Sequence, residues 1–292
     1  MRVFLDIYGL CTLTFISSTY VNMSLAAELG EKLRAVRDSK PLVHHITNFV
    51  VMELTANVTL HVGGSPVMAH SLKEVKDMAK IASCININMG TLEPDWVEAM
   101  LLAGKEANSH GIPVVFDPVG NGATPYRTET ASKIANDVKL SVLRGNCGEI
   151  GIFANVGGDV KGVDSCGDLE EPAKVAKALA KERGFIVAIT GPTDYVSDGK
   201  RVFAVRNGHK YLPQLTGTGC SATATISCFV GANKTDVCLA TVAALSFFGA
   251  AAEKAAEDSS TKGPASFKVN FHDALATMTV EEFVSLIKVE EL

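Results

Sequence analysis

The stretch Leu215-Thr216-Gly217-Thr218-Gly219-Cys220-Ser221-Ala222-Thr223 sets two glycines ahead of a run of small and apolar residues. Bare glycines at a helix start let backbone N–H groups converge on an anion, and the helix dipole adds partial positive charge there. The same residues would also serve as a tight turn before a packed helix, so the spacing alone leaves both readings open. Cys220 falls at the start of that helix, where a thiol with a free pKa of about 8.5 can be pulled downward; the alternative is a small buried residue. Asp117 ends one apolar run, and Asn146 with Glu149 follows another. Hard oxygens of this kind suit magnesium, often through water, although either carboxylate could instead cap a neighbouring helix. Arg144 and Thr190 also close apolar runs. A guanidinium matches phosphate by paired hydrogen bonds and a hydroxyl adds one more, against the plainer role of a surface ion pair for Arg144. The seven histidines offer no H-E-x-x-H spacing, and the side chains of His44 and His45 diverge on an extended segment, which argues against a zinc hydrolase.

The elements that must position these residues alternate between helical and extended patterns. Leu25, Leu29, Leu33 and Val36 make one apolar helical face, opening at Met23-Ser24 and stopping before Pro41. A helix after Asn48 ends at Gly63-Gly64, a short extended piece covers 65–69, and Ser71 with Glu74 reads as the capping box of the next helix. Strands are predicted over 84–88, 113–116, 140–143 and 185–190, with helices over 94–110, 128–138 and 172–183 between them. Asp198-Gly199 is a two-residue hairpin signal that adds an antiparallel edge, and helices from about Cys220, from Asp236 to Glu257 and near the C-terminus complete the chain. The fold class is therefore α/β: a mainly parallel central sheet, helices on both faces, an antiparallel edge hairpin and functional loops at the carboxyl ends of the strands.

A chain of 292 residues, 47% hydrophobic and 20% charged, can bury a full core, and residues 23–292 read as one domain. The net charge of −5 gives no electrostatic footprint for nucleic acid or an anionic membrane. The cysteines are seven, an odd number without a C-x-x-C pair, so neither a zinc site nor a disulfide framework is indicated and a reducing cytoplasm fits. The apolar run from Val237 to Ala252 falls short of the roughly 18–20 residues that span a bilayer and reads as a buried helix. Residues 1–22 loosely resemble a signal peptide, but Asp6 interrupts the apolar stretch and no small-x-small cleavage site stands out; the favoured expectation is an extension or an upstream start, with Met23 the functional start.

From Leu42 to Leu275 the chain resembles the hydroxyethylthiazole kinases, in the blocks Val43-His44-His45-Ile46-Thr47-Asn48, Gly63 to Ala69, Asn88-Met89-Gly90-Thr91-Leu92, Phe116 to Gly120, Arg144-Gly145-Asn146 to Ile150, Ala188 to Gly191, Gly217 to Cys220, and Lys262-Gly263-Pro264 before Ser266-Phe267. The resemblance implies a ribokinase-like enzyme that uses ATP and Mg2+ to phosphorylate the hydroxyethyl group of the thiazole in thiamine salvage. It assigns Cys220 to the position where the wider superfamily has an aspartate that takes the hydroxyl proton. It further implies that Arg144, Thr190 and Gly219 meet ATP, that Met68, Gly217, Asn48 and His44 line the thiazole pocket, that Asp117 and Glu149 serve the metal, and that the chain forms a homotrimer with its pocket against a neighbouring subunit. Asn57 is expected near the same pocket. The competing readings are a hydroxymethylpyrimidine kinase, an ATP-dependent NAD(P)H-hydrate dehydratase of the same fold, against which Cys220 argues, and a nucleotide-binding regulatory module, which needs no such combination as Cys220, Asp117 and Glu149.

Overall fold

The apolar face at Leu29, Leu33 and Val36 lies on a helix, α1 (residues 25–39), in the computed structural model, which describes residues 25–154 and 171–292. All three side chains are fully buried. The extension 1–22, the helix opening at Met23-Ser24 and Cys166 lie outside the described residues. Strands and helices then alternate through β1 (Leu42–Ile46), α2 (Met52–Val62), β2 (Ser65–Val67), α3 (Val75–Ile81), β3 (Cys84–Asn88), α4 (Pro94–Ser109), β4 (Val114–Asp117), α5 (Pro125–Asp137), β5 (Val142–Asn146), α6 (Cys147–Phe153), α7 (Pro172–Arg183) and β6 (Ile186–Thr190). After these come β7 (Asp194–Ser197), β8 (Val202–Val205), α8 (Thr218–Ala232), α9 (Val237–Glu257), α10 (Pro264–Thr277), α11 (Val280–Leu286) and β9 (Val289–Glu291).

Among the described residues nine strands form one sheet in the order β2-β1-β3-β4-β5-β6-β7-β8-β9, parallel through β6 and antiparallel beyond it. Short apolar strands such as Val114-Val115-Phe116 are buried on both sides because helices cover both faces. One face packs on α1, α2, α8 and α9 through Val58, Phe229 and Phe247, with Phe267 of α10 packed behind α9; the other packs on α3, α4, α5 and α7 through Ala79, Met100, Ile134 and Leu179. Helix α9 is long and apolar enough to cross a membrane, but it lies in the first of these layers with Cys238 to Ala252 entirely buried. A helix apolar on all sides needs such surroundings. The chain places β2 on one side of β1 and then crosses to β3 on the other, so the order of strands reverses between β1 and β3, the position where open α/β sheets leave a crevice.

Several local expectations change. Ser71 and Glu74 do not form a capping box: residues 72–74 make a turn on the Ser71 carbonyl, and α3 begins only at Val75. Strand β5 runs on through Arg144, Gly145 and Asn146, because these pair along β6 as far as Thr190. The loop between β7 and β8 holds four residues rather than two, since Ser197 pairs with Val202 and Asp198 accepts from the N–H groups of Lys200 and Arg201. The antiparallel edge is present and is one strand wider than expected, with β9 returning from the C-terminus to pair with β8.

Candidate active site

Register brings the polar ends of the strands into one row. Asn88 at the end of β3 pairs in register with Asp117 at the end of β4, and Asn146 pairs with Thr190 at the ends of β5 and β6. Asp117 is buried. Its Oδ2 accepts from Thr223 Oγ1 at 2.7 Å and from Asn88 Nδ2 at 3.0 Å, and lies 3.6 Å from Arg144 Nη1, whereas Oδ1 has no partner among the described residues. Burial pushes its pKa up, opposed by Arg144 and the two hydrogen bonds. Arg144 is itself buried; its Nη2 donates to Thr190 Oγ1 at 2.5 Å, and its Nε has no partner.

Helix α8 points its N-terminus at this row. Gly217 takes φ 87°, the left-handed region, and a Cβ there would stand 2.7 Å from both Leu54 and Val51, so helix start and loop fit only without a side chain. Gly219 lies against the guanidinium: a Cβ on it would be 2.8 Å from Arg144 Nη1. Its backbone is not in the left-handed region, so the demand for glycine there is one of space. One residue on, Cys220 Sγ accepts from Asn48 Nδ2 at 3.6 Å. Burial, and then Asp117, push the thiol up to about 12, against the fall expected from the helix N-terminus alone. At neutral pH the sulfur therefore carries its proton.

Of the readings open for Glu149, the structure shows the helix cap. Glu149 is the third residue of α6, a helix the sequence patterns did not reveal, and its Oε2 accepts from Asn146 N at 2.9 Å while Asn146 Oδ1 accepts from Glu149 N, which is a capping box. Its Oε1 reaches across to the loop after β4 and accepts from Gly120 N at 2.8 Å. Burial and the neighbouring Asp117 push its pKa up to about 7.

The structure thus gathers Asn48, Asp117, Arg144, Thr190, Gly219 and Cys220, with Glu149 joined to them through the β4 loop. His44 and Met68 stand apart toward the β2 edge: His44 Nε2 hydrogen-bonds the carbonyl of Ala69, next to the half-buried Met68, and His44 Nδ1 is buried without a partner. Asn57 is engaged elsewhere, donating to Glu53 on the exposed surface of α2. Three contributors had no role at the level of sequence. Asn88 and Thr223 hold Asp117, and Arg127 donates to the carbonyls of Met89, Gly90 and Val119, tying the loops after β3 and β4 together. Asn88 could have been found, since it ends Cys84-Ile85-Asn86-Ile87 as Asp117 ends its own strand; Arg127 carries no such signal.

The same arrangement of strands and helices occurs in a ribokinase-like superfamily protein from Enterococcus faecalis V583, with a TM-score of 0.60 and 12% identity over 83% of this chain and 87% of that one. The fold is that of the ribokinase-like class. Within it, the profile of the hydroxyethylthiazole kinase family matches residues 33–281. A hydroxyethylthiazole kinase from Chloroflexus aurantiacus is 51% identical over 260 residues, covering 89% of this chain and 96% of that one. The structure of the hydroxyethylthiazole kinase protein from Pyrococcus horikoshii OT3 matches with a TM-score of 0.83 at 43% identity, over 91% and 99% of the two chains. The chain belongs to the hydroxyethylthiazole kinase family.

Proposed function

We propose that the protein transfers the γ-phosphoryl group of ATP to the primary hydroxyl of 4-methyl-5-(2-hydroxyethyl)thiazole, in thiamine salvage. Family membership supports the reaction. The single observation that supports its place in the molecule is the N-terminus of α8, with Cys220, facing the buried Asp117–Arg144–Thr190 group at the ends of three adjacent strands. Phosphoryl transfer needs positioning and charge stabilisation more than covalent help from the protein. The N–H groups from Gly217 to Cys220, the Arg144 guanidinium and the Thr190 hydroxyl supply donors for the phosphates. Met68, Gly217, His44 and Asn48 hold the thiazole, with polarizable sulfur on the ring face and the free Nδ1 of His44 as a polar contact.

Magnesium fits this set as an ion shared with the nucleotide. Asp117 Oδ1 is a buried oxygen without a partner, while both oxygens of Glu149 already accept backbone N–H groups, so Glu149 would reach the ion through water. Among the described residues no cluster of three His, Cys, Asp or Glu forms a cage, as suits a cation that takes most ligands from phosphate and water. Held by Asp117 directly and by Glu149 through water, a bound magnesium ion would supply charge that offsets the phosphates. Cys220, protonated at neutral pH, orients the hydroxyl; the alcohol oxygen bonds to phosphorus as the bond to ADP breaks, and the hydroxyl proton passes late to an oxygen of the transferred phosphoryl group, as a loose transition state allows.

The deciding experiment offers labelled ATP with hydroxyethylthiazole, hydroxymethylpyrimidine or pyridoxal, and separately with hydrated NADH. Label on the thiazole alcohol is the expected result. Label on the pyrimidine alone, or dehydration of the nicotinamide without label transfer to any alcohol, refutes the assignment.

A further inference from the structure

Asn88 and Asn48 are both buried at the switch between β1 and β3, and the orientation of each amide is fixed by a backbone N–H. Gly90 N donates to Asn88 at 3.0 Å, and because a backbone N–H can only donate, the atom it meets is Oδ1. Val50 N donates to Asn48 at 3.1 Å and identifies its Oδ1 in the same way. With both flips settled, Asn88 Nδ2 faces Asp117 Oδ2 at 3.0 Å, and Asn88 Oδ1 accepts from Asn48 Nδ2 at 2.8 Å. The remaining N–H of Asn48 is then directed at Cys220 Sγ, 3.6 Å away. The packing leaves no slack, since a Cβ on Gly90 would collide with the Asn48 amide.

The geometry points to Asn88 as a positioning residue for phosphoryl transfer: its Nδ2 holds Asp117 and its Oδ1 holds Asn48, whose amide the Val50 N–H orients, so that an Asn48 N–H reaches the thiol sulfur and the S–H is left as a donor toward the substrate hydroxyl. A chain of opposite direction would turn the sulfhydryl proton onto Asn48 and leave only sulfur lone pairs for the hydroxyl. The proposal rests on the kinase reading above and adds a residue that touches neither substrate nor phosphate.

The test is a double-mutant cycle. Asn88→Asp keeps the shape but sets an oxygen against Asp117 Oδ2, 3.0 Å away, in place of the N–H, so the two carboxyl groups move apart and the group that holds Asn48 against the thiol is displaced. Its expected effect is a loss in kcat of about 10- to 100-fold, the scale of one hydrogen bond to a charged group, with the KM for ATP little changed. In a Cys220→Ser background the same substitution should cost much less, because the hydroxyl of serine can donate or accept and the two sites are coupled. Losses that simply multiply overturn the chain, since unconnected sites are additive. So does a kcat for Asn88→Asp equal to that of the wild type, or a fall in kcat fully accounted for by a smaller ATP-binding fraction. Asn88→Ser, which keeps a small acceptor near Gly90 and removes the donor to Asp117, repeats the cycle if Asn88→Asp does not fold. The cycle is run on whichever alcohol the wild type phosphorylates. A wild type without kinase activity on any alcohol sinks the kinase reading; normal turnover in the Asn88 variants sinks only this proposal.

Discussion

Gly219→Val perturbs the cradle where the start of α8 meets Arg144. A Cβ at this residue would lie 2.8 Å from Arg144 Nη1, 3.2 Å from Nη2 and 3.5 Å from Cζ, while a relaxed non-bonded contact needs about 3.5 Å or more. The guanidinium must therefore retreat by more than half an ångström before the two γ-methyl groups are counted, an estimate that follows from those contact radii (~0.7 Å). It cannot do so freely, because Thr190 and Asp117 hold it in a buried position. Loss of a charge-assisted hydrogen bond costs about 1.5–3 kcal/mol, so displacing a guanidinium proposed to give two of them to phosphate predicts a fall in turnover of about 10²- to 10⁴-fold. Cys220→Ser should cost about tenfold or less, because a thiol that stays protonated contributes orientation rather than general-base catalysis, whose usual worth is larger. Cys220→Asp should retain activity near neutral pH and above. The burial and the Asp117 charge that push the thiol up would push this carboxylate up as well, so its activity should fall as the pH is lowered. The assay is steady-state turnover at saturating ATP and magnesium for all three variants, with folding followed by circular dichroism. A folded Gly219→Val enzyme with near wild-type turnover, beside a folded but dead Cys220→Asp enzyme, would refute both the cradle and the role given to Cys220.

Glu149, pushed up to about 7, should produce an acid limb in kcat/KM near that pH at limiting magnesium, and more magnesium should move the midpoint down, because the cation favours the ionised form; a midpoint indifferent to magnesium would remove Glu149 from the metal site. The sign for stability is the opposite of the usual carboxylate. The folded value lies above the ordinary 4.5, so the contribution is complete below about 4.5 and is lost as the pH rises through about 7; in magnesium-free protein, the Tm of the wild type relative to Glu149→Ala should decline over that window. The chain cut to residues 23–292 should keep its activity and Tm and give a trimeric mass by light scattering, as the implied pocket against a neighbouring chain requires; an active monomer, or a truncated chain that does not fold, would contradict one half of this each.

Much of the layout could be read from period and punctuation. Strands such as Cys84–Asn88 and helices such as Pro94–Ser109 carry apolar runs and a leading proline that act locally, and α2 ends at the left-handed Gly63 that its sequence suggests. What escaped depends on partners distant in the chain. Strand β9 is three residues, too short to show alternation, and exists because β8 offers an open edge. Helix α6 is a seven-residue turn held by the Asn146–Glu149 box, with no amphipathic face to reveal it. In the site, residue types marked Asp117, Arg144, Thr190 and Cys220, but the upward shift of the thiol came from enclosure and a carboxylate that is distant in sequence. Asn88 and Arg127 act by hydrogen bonds whose partners only the register of neighbouring strands brings close.

Helices α8 and α9, which pack directly on one face of the sheet, and α10, which packs on α9, are also the last large elements to be made. On the ribosome the strands from β1 to β6 and the helices of the opposite face emerge first, so Val115, Val142 and Ala188 are left facing water or each other until Phe229, Phe247 and Phe267 arrive. The nascent chain therefore holds a half-covered apolar sheet for most of its synthesis, the kind of surface on which intermediates associate or chaperones bind. The proposed cradle is assembled in the same order: Asn48, Asn88, Asp117 and Arg144 come out early, and the glycines at the start of α8 that complete it come out late. A ribosome that stalls between Thr190 and Gly217 leaves a chain that carries most of the chemistry and none of the geometry that uses it.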